Sequence, residues 1–385
     1  MRNWLLPENI ADILPATARQ VESAKAAMLE RFRTYGYELV CPPLIEYVDS
    51  LVYDGDAALA MKTFKLDDQL SGRQLGVRAD ITPQVARIDA HLLSSRQGVT
   101  RLCYAGSVLH TVPESAMRSR EPLQVGAELY GCADIGADQE IVALMLASLE
   151  GVGVSRLTLD IGHAGIFRAL ASAAALPARL TGELFDALQA KDIPSAEALL
   201  AGAAEPYRAA LLALPGLYGP DALSRAAECL PALPAITQAL ADMAQVAVGL
   251  AGQEVAVNFD LADLRGTAYH TGLMFAAYAP GWSDALARGG RYDNVGDKFG
   301  RARPATGFSL DLRDLIRILP QRSLVMGIRV AASQAQAAAA KLATLRAAGE
   351  VVVVDYLGES AAALNCDREL VWRTDGWQVV PFVSH

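Results

Sequence analysis

Two apolar segments, residues 102–109 and 123–130, flank a polar stretch that contains Pro113, Arg118 and Arg120. This pattern predicts two antiparallel strands joined by a long connection. In the second segment the side chains alternate between the faces of the strand. One face carries Val125, Ala127 and Leu129, and the other carries Gln124, Gly126 and Glu128. The polar face predicts a gap above a sheet that suits a small ligand with hydrogen-bond donors. A strand face that simply meets solvent is the alternative.

The same reasoning predicts the elements around this hairpin. Apolar residues at helical spacing indicate a helix over residues 16–35, and Gly36 provides a stop. A short strand over residues 37–41 ends at two prolines, and Thr82-Pro83 opens a second helix. Further strands are expected at residues 74–78, 157–162, 255–261 and 305–312, with a helix at 313–319.

The chain divides by pattern into two domains. Residues 1–320 form the first, and an Ala- and Leu-rich stretch broken by prolines predicts a helical insertion at about 165–252. Residues 321–385 form a small α/β domain, with strands at 325–331, 351–355, 370–373 and 378–382 and a helix at 334–347. The strand before Asp355 resembles a phosphoribosyltransferase strand. The single Asp and the missing Thr-Gly-Gly-Thr loop favour a buried strand instead.

Composition excludes several classes of protein. The 385 residues are 52% hydrophobic and 20% charged, as in globular proteins, and the length fits two or three domains. No apolar run reaches the ~20 residues that span a membrane, and the N-terminus does not resemble a secretory signal. Five scattered cysteines without a CxxC predict reduced thiols in the cytoplasm and no zinc site. A net charge of −9 gives no overall basic surface for nucleic acid.

Residues 102–131 resemble motif 2 of a class II aminoacyl-tRNA synthetase, specifically the histidyl enzyme. The family ends the first strand with Phe-Arg-x-Glu and uses the Arg to bind the ATP α-phosphate. This chain has Leu109-His110-Thr111-Val112 there. A valine cannot bind a phosphate, and histidine, with a reference pKa near ~6.5, is only partly charged. The amino-acid end of the motif, Gln124 and Glu128, is kept.

Other family motifs follow in order. Residues 16–41 resemble motif 1, which builds the family's dimer interface. Arg78-Ala79-Asp80-Ile81-Thr82 stands where the family holds the α-ammonium of its amino acid with a Glu and a Thr. The alternative is that Asp80 caps the following helix and binds no ligand. Residues 305–319 resemble motif 3, but the Arg that stacks on adenine is replaced by Asp314.

Two histidyl signatures complete the resemblance. Arg265, Gly266, Tyr269 and His270 match the first, in which the Arg stabilises a carboxylate; a salt bridge from Arg265 to Asp260 or Asp263 is the alternative. Residues 287–293 match the second almost completely, so Arg291 and Tyr292 are expected to line the floor of the pocket.

The resemblance implies an α+β fold with an antiparallel sheet of six or seven strands flanked by helices, in a homodimer. The positions that lost their ATP contacts are His110, Val112 and Asp314. Because one oriented charge at a developing anion is worth ~3–4 kcal/mol, these losses argue against adenylation. The pattern is similar to that of the catalytically silent relatives, the regulatory subunits of ATP phosphoribosyltransferase.

That family implies a short-form catalytic subunit as partner, a hetero-octamer, and feedback inhibition by free histidine, with no tRNA, membrane or cofactor. The residues expected to bind histidine are Asp80, Thr82, Gln124, Glu128, Arg265, Tyr269, His270, Arg291 and Tyr292. Two alternatives stay open: a divergent histidyl-tRNA synthetase-like enzyme, and a stand-alone module that binds an amino acid or RNA.

Overall fold

In the computed structural model of the protein, the described residues are 5–52, 57–115, 118–263, 270–320 and 325–382. The chain divides into two compact units, Met1–Pro320 and Gln321–His385. No helix among the described residues has both the length and the hydrophobicity to cross a membrane.

The first unit combines twelve strands with twelve α-helices over its described residues. Its strands are β1 Glu38–Leu39, β2 Ile45–Tyr47, β3 Phe64–Asp67, β4 Gln74–Val77, β5 Thr100–Ser107, β6 Leu123–Tyr130, β7 Leu157–His163, β8 Tyr218–Gly219, β9 Val255–Asp260, β10 Leu273–Tyr278, β11 Ala287–Arg291 and β12 Ala305–Asp311. Its α-helices are α1 Pro15–Thr34, α2 Val48–Leu51, α3 Ala57–Lys62, α4 Thr82–Arg87, α5 Ile135–Gly151, α6 Ala164–Ala173, α7 Ala178–Gln189, α8 Ile193–Leu199, α9 Tyr207–Ala213, α10 Ala222–Cys229, α11 Pro234–Gly249 and α12 Leu312–Ile318.

Nine of these strands form one sheet, in the order β1-β5-β6-β12-β11-β10-β7-β9-β8, over the described residues. The predicted hairpin is confirmed, because β5 and β6 pair antiparallel with Ser107 opposite Leu123. The sheet was expected to have six or seven strands, all antiparallel, and both the number and the direction of the strands differ in the structure. β1 lies inside the strand expected at 37–41, whereas β8 has only two residues, too few to leave an alternating pattern in the sequence. The pairs β1–β5 and β7–β9 are parallel.

The helices on one side of the sheet follow from the hydrophobic pattern. In α1, Val21, Ala24, Met28 and Phe32 are buried at intervals of three and four residues. They join a core with Val125, Ala127 and Leu129 of β6 and the apolar residues of α5. The helix ends where Gly36 takes a positive φ of 84°, a backbone conformation that glycine adopts without strain.

Six helices, α6 to α11, and the short strand β8 occupy residues 164–249. They connect β7 to β9. Because parallel neighbours need a crossover connection rather than a tight turn, this helical region is the crossover itself. Its buried leucines and alanines continue the core that lies under the sheet.

The second unit contains β13 Gly327–Ala331, β14 Val352–Asp355, β15 Cys366–Arg373 and β16 Gly376–Pro381, in the sheet order β14-β13-β15-β16. The helix expected over residues 334–347 is instead two helices, α13 Ala332–Ala335 and α14 Ala339–Ala347. Alanine gives no warning of such a break, because it is the strongest helix former. Ile328, Val330 and Leu370 form a small core with Leu342.

Phe32 offers a test of the packing between α1 and the sheet. It is fully buried, with its ring edge-on to that of Phe308 at 5.8 Å between centroids. Phe32→Ala should lower the free energy of unfolding by about 3–5 kcal/mol, because a cavity is left in the core. Urea titration followed by circular dichroism measures this. The exposed Arg19→Ala in the same helix is the control and should change the value by less than about 0.5 kcal/mol. Equal losses in both variants would contradict this packing.

Candidate functional site

The two faces of the nine-stranded sheet differ in chemistry. The helix face is the one that packs on α1 and α5. The cavity face is the opposite one, and the strand register brings its residues side by side. Across the central strands it carries Tyr104, Gly106, Gln124, Gly126, Glu128, Gly307, Ser309, Asp311, Arg288, Gly290, Met274 and Ala276. The predicted alternation along β6 is therefore what the structure shows.

A cavity of about 520 Å³ opens on this face. Asp80, Gln124 and His270 line the end that the sequence assigned to an amino acid. The cavity is also lined by Lys62, His110, Glu114, Arg118, Arg288, Ser309 and Asp311, and Asp311 lies directly across the sheet from Gln124.

Asp80 and Gln124 are oriented by hydrogen bonds. The Nε2 of Gln124 donates to Asp80 Oδ1 at 2.7 Å, and its Oε1 accepts from the Ile81 amide at 2.9 Å. Asp80 Oδ1 also accepts from the Thr82 amide at 3.0 Å, at the start of α4. Asp80 thus contacts the first residue of α4, although the N-cap position of that helix is Ile81, and it also lines the cavity. A carboxylate fixed in this way can accept from an ammonium group.

Glu128 lies beneath the cavity rather than in its wall. It is 1% exposed, and it accepts hydrogen bonds from the Tyr104 hydroxyl at 3.0 Å, the Thr82 hydroxyl at 3.3 Å and the Tyr292 hydroxyl. Burial raises the pKa of Glu128 to about 8, although these hydroxyls favour the charged form. Gly307 permits this arrangement, because a Cβ there would overlap Glu128 Oε2. Glu128, Thr82 and Tyr292 therefore form the floor that supports the cavity.

Arg291 does not line the cavity, and that expectation was wrong. Successive residues of a strand point to opposite faces, so Tyr292 and Arg291 cannot share one. Arg291 lies on the helix face, where its Nη2 and Nε donate to Asp138 Oδ2 at 2.5 and 3.1 Å. There it borders a second cavity, of about 460 Å³, together with His163 and Asp242.

The remaining histidine-binding candidates belong to the segment before β10. His270 is 7% exposed and lines the cavity, and Arg168 of α6 donates to its carbonyl oxygen. Arg265 and Tyr269 lie outside the described residues.

The three positions at which the resemblance implies lost ATP contacts are His110, Val112 and Asp314, and the structure shows the surroundings of each. Burial lowers the pKa of His110, whose Nε2 lies 3.0 Å from the carbonyl oxygen of Ala79, so it is not a cation at neutral pH. Val112 is 56% exposed. Asp314 is 4% exposed, and burial raises its pKa against the opposing effect of Arg118. Arg313, next to it, pairs with Glu121 at 2.9 Å.

Three cationic residues of the cavity were not singled out from the sequence: Lys62, Arg118 and Arg288. Arg288 was open to prediction, because it alternates with Gly290 and Tyr292 along β11. Lys62 and Arg118 lie in segments without strand periodicity. Arg118 falls within the resemblance to motif 2, but in the connection between its two strands, where the sequence assigned no ligand contact. Among the described residues, no group of His, Cys, Asp and Glu side chains is arranged to hold a metal ion.

Comparisons with known proteins show which family the chain resembles over its whole length. The histidyl-tRNA synthetase family model matches residues 9–315, and the model of the ATP phosphoribosyltransferase subunit HisZ C-terminal domain matches residues 325–380. An ATP phosphoribosyltransferase regulatory subunit of Chromobacterium violaceum is 69% identical over 99% of this chain and 100% of its own length. That of Laribacter hongkongensis is 65% identical over the full length of both.

Among solved structures, an ATP phosphoribosyltransferase regulatory subunit/histidyl-tRNA synthetase from Bacillus halodurans superposes with a TM-score of 0.81. It is 27% identical, over 94% of this chain and 96% of that one.

Glu128→Gln tests the state of the buried carboxyl. The folded pKa of about 8 lies above the unfolded value near ~4.3, so the folded chain keeps a proton that the unfolded chain loses. The contribution of Glu128 to stability is therefore full below pH ~4 and falls as pH rises toward 8. A glutamine stays neutral and removes this fall.

The free energy of unfolding of Glu128→Gln relative to wild type should rise by up to about 1.4 kcal/mol per pH unit between pH 5 and 8. Urea titrations at each pH measure it, with the exposed Glu197→Gln as control. Parallel pH profiles for wild type and Glu128→Gln would show that this carboxyl is charged in the folded protein.

Proposed function

This chain belongs to the ATP phosphoribosyltransferase regulatory subunit family, and on that premise we propose that it is the non-catalytic subunit that a short-form catalytic subunit requires for activity. The complex performs the first step of histidine biosynthesis, and this chain confers feedback inhibition by histidine. It assembles in the cytoplasm as a homodimer within a hetero-octamer, and it does not use tRNA. The resemblance of residues 16–41 to motif 1 supports the homodimer.

One observation carries the proposal. Around Asp80 and Gln124 the cavity keeps oriented polar groups. The cations that line it among the described residues, Lys62, Arg118 and Arg288, are each already in contact with a carboxylate. Such a cavity suits a zwitterionic amino acid and does not suit a nucleotide, whose phosphates need available positive charge.

In the proposed complex, free histidine lies over the floor formed by Glu128, Thr82 and Tyr292. Asp80, held by Gln124, accepts from the α-ammonium group. His270 lies near the imidazole, and Arg265 and Tyr269 are assigned to the carboxylate and the ring on the strength of the family signature alone. Arg291 has no part, because it lies on the helix face.

Regulation then follows from linkage. If histidine binds one quaternary state of the complex more tightly than another, it shifts the population toward that state. Couplings of this kind are typically worth ~1–3 kcal/mol, enough to shift the equilibrium between the two quaternary states by about 5- to 150-fold.

A second candidate is amino-acid activation by a histidyl-tRNA synthetase-like enzyme. The match of the synthetase model to residues 9–315 favours it. Histidine-dependent exchange between ATP and pyrophosphate distinguishes the two functions. Exchange well above background would establish the enzyme, and its absence in a preparation that binds histidine would support the regulatory subunit.

Reconstitution is the first test of the proposed function. A short-form catalytic subunit, tagged and expressed with this chain, should retain it on affinity resin. It should also gain at least tenfold in the rate of phosphoribosyl-ATP formation, and histidine should suppress this gain. A catalytic subunit that is equally active alone, and that does not retain this chain, would reject the proposal.

Asp80→Asn tests the histidine pocket. The asparagine keeps the Oδ1 acceptor for Thr82 and Gln124 but removes the charge that pairs with the ammonium group. Charge-assisted hydrogen bonds are worth ~1.5–3 kcal/mol, so calorimetry should show histidine affinity reduced by about tenfold or more. Asp242→Asn, at the second cavity on the helix face, removes the same charge and should leave the affinity unchanged. Equal effects of the two substitutions would place histidine elsewhere.

A further inference from the structure

The part of the cavity that is lined by Lys62, Arg118 and Arg288 holds a chain of alternating charges. Lys62 lies 2.7 Å from Glu114, and Glu114 also contacts Arg118 at 3.1 Å. Arg118 continues to Asp284 at 2.9 Å, and Asp284 in turn contacts Arg288. Three cations that line the cavity are therefore joined through two carboxylates.

Arg118 is the centre of this chain. Its side chain is only 15% exposed, and its Nε atom also faces Asp314 Oδ2 at 3.6 Å. Asp314 has a longer contact with Arg317 at 3.7 Å and does not itself line the cavity. The guanidinium group of Arg118 thus meets carboxylates from three directions.

The carboxylates come from separate parts of the fold. Glu114 precedes β6, Asp284 lies between β10 and β11, and Asp314 is in the first turn of α12. Together with Asp284 and Glu114, Asp314 brings three negative charges against the three positive charges of Lys62, Arg118 and Arg288. Each of these three cations therefore already has a carboxylate partner on the same chain.

We propose that this part of the cavity is a latent phosphate-binding site, which the chain closes to nucleotides by pairing Arg118 with its own carboxylates. Asp284 and Asp314 are the specificity-determining residues, and Arg118 is the residue that would bind the phosphate. The proposal extends the proposed function, since it explains how a pocket for an amino acid rejects ATP without having lost every cation.

The physical reason is competition within one molecule. A guanidinium group binds a carboxylate and a phosphate with the same forked geometry. Carboxylates on the same chain compete at an effective concentration of millimolar or higher, so a free nucleotide must displace them before it can bind. Removing their charge leaves Arg118 available.

The double variant Asp284→Asn with Asp314→Asn tests this. Asparagine keeps the shape and a hydrogen-bond acceptor at both positions, and neither side chain lines the cavity. Calorimetry with ATP, and separately with inorganic pyrophosphate, both without magnesium, should show binding at least tenfold tighter than to wild type. The affinity for histidine should be unchanged. Histidine binding thus serves as the control for folding, independent of the result with ATP.

Two further variants complete the design. Adding Arg118→Ala to the double variant should abolish the gain for both probes. Asp186→Asn with Glu197→Gln removes the same number of charges from exposed positions on α7 and α8, and it should produce no gain.

A double variant that binds histidine but gains no affinity for ATP or pyrophosphate would overturn the proposal. So would a gain that survives the loss of Arg118, or one that the surface control reproduces. If wild type does not bind histidine while the double variant still gains affinity for ATP, the proposed function is wrong and the latent phosphate-binding site is supported.

Discussion

The site depends on the strict alternation of side chains along β6, β12 and β11. On β6, Val125, Ala127 and Leu129 pack against the helices, so Gln124 and Glu128 must lie on the cavity face, with Glu128 buried beneath the cavity. A one-residue slip in register would exchange the two sets and bury the polar ones in an apolar core. The core that stabilises the sheet therefore also fixes the position of the ligand-facing groups.

This constraint gives the cavity two regions with different chemistry. Beneath the amino-acid end, hydroxyl groups of Tyr104, Tyr292 and Thr82 hold one buried carboxyl. Around Lys62, Arg118 and Arg288, the polar groups satisfy one another as ion pairs. If Asp314 stands where the synthetases have an arginine, as the resemblance to motif 3 implies, a single substitution would both remove a cation and add a partner for Arg118.

The sequence predicts the elements that carry periodic signals and misses those defined by distant partners. The β5–β6 hairpin and the exposure of Gln124 to the cavity were predictable, because period-two alternation is a local property. The expectation for Arg291 was wrong because the motif assigns Arg291 and Tyr292 to the same pocket, whereas neighbouring residues of a strand point to opposite faces. The contact between Arg118 and Asp284 joins residues 166 positions apart, and no local pattern marks either one. The two-residue strand β8 was not predicted either, since its pairing is set by the sheet that it joins.

The parallel pairing of β7 with β9 limits how this protein can be shortened. The chain leaves β7 at His163 and must return past the whole strand before it can enter β9 at Val255. That return spans about 20 Å, at ~3.3 Å for each strand residue, so a hairpin turn cannot replace it. The helices between these strands therefore cannot simply be deleted. A minimised version would need a substitute bridge of a dozen or more residues, or the sheet would lose its outer edge.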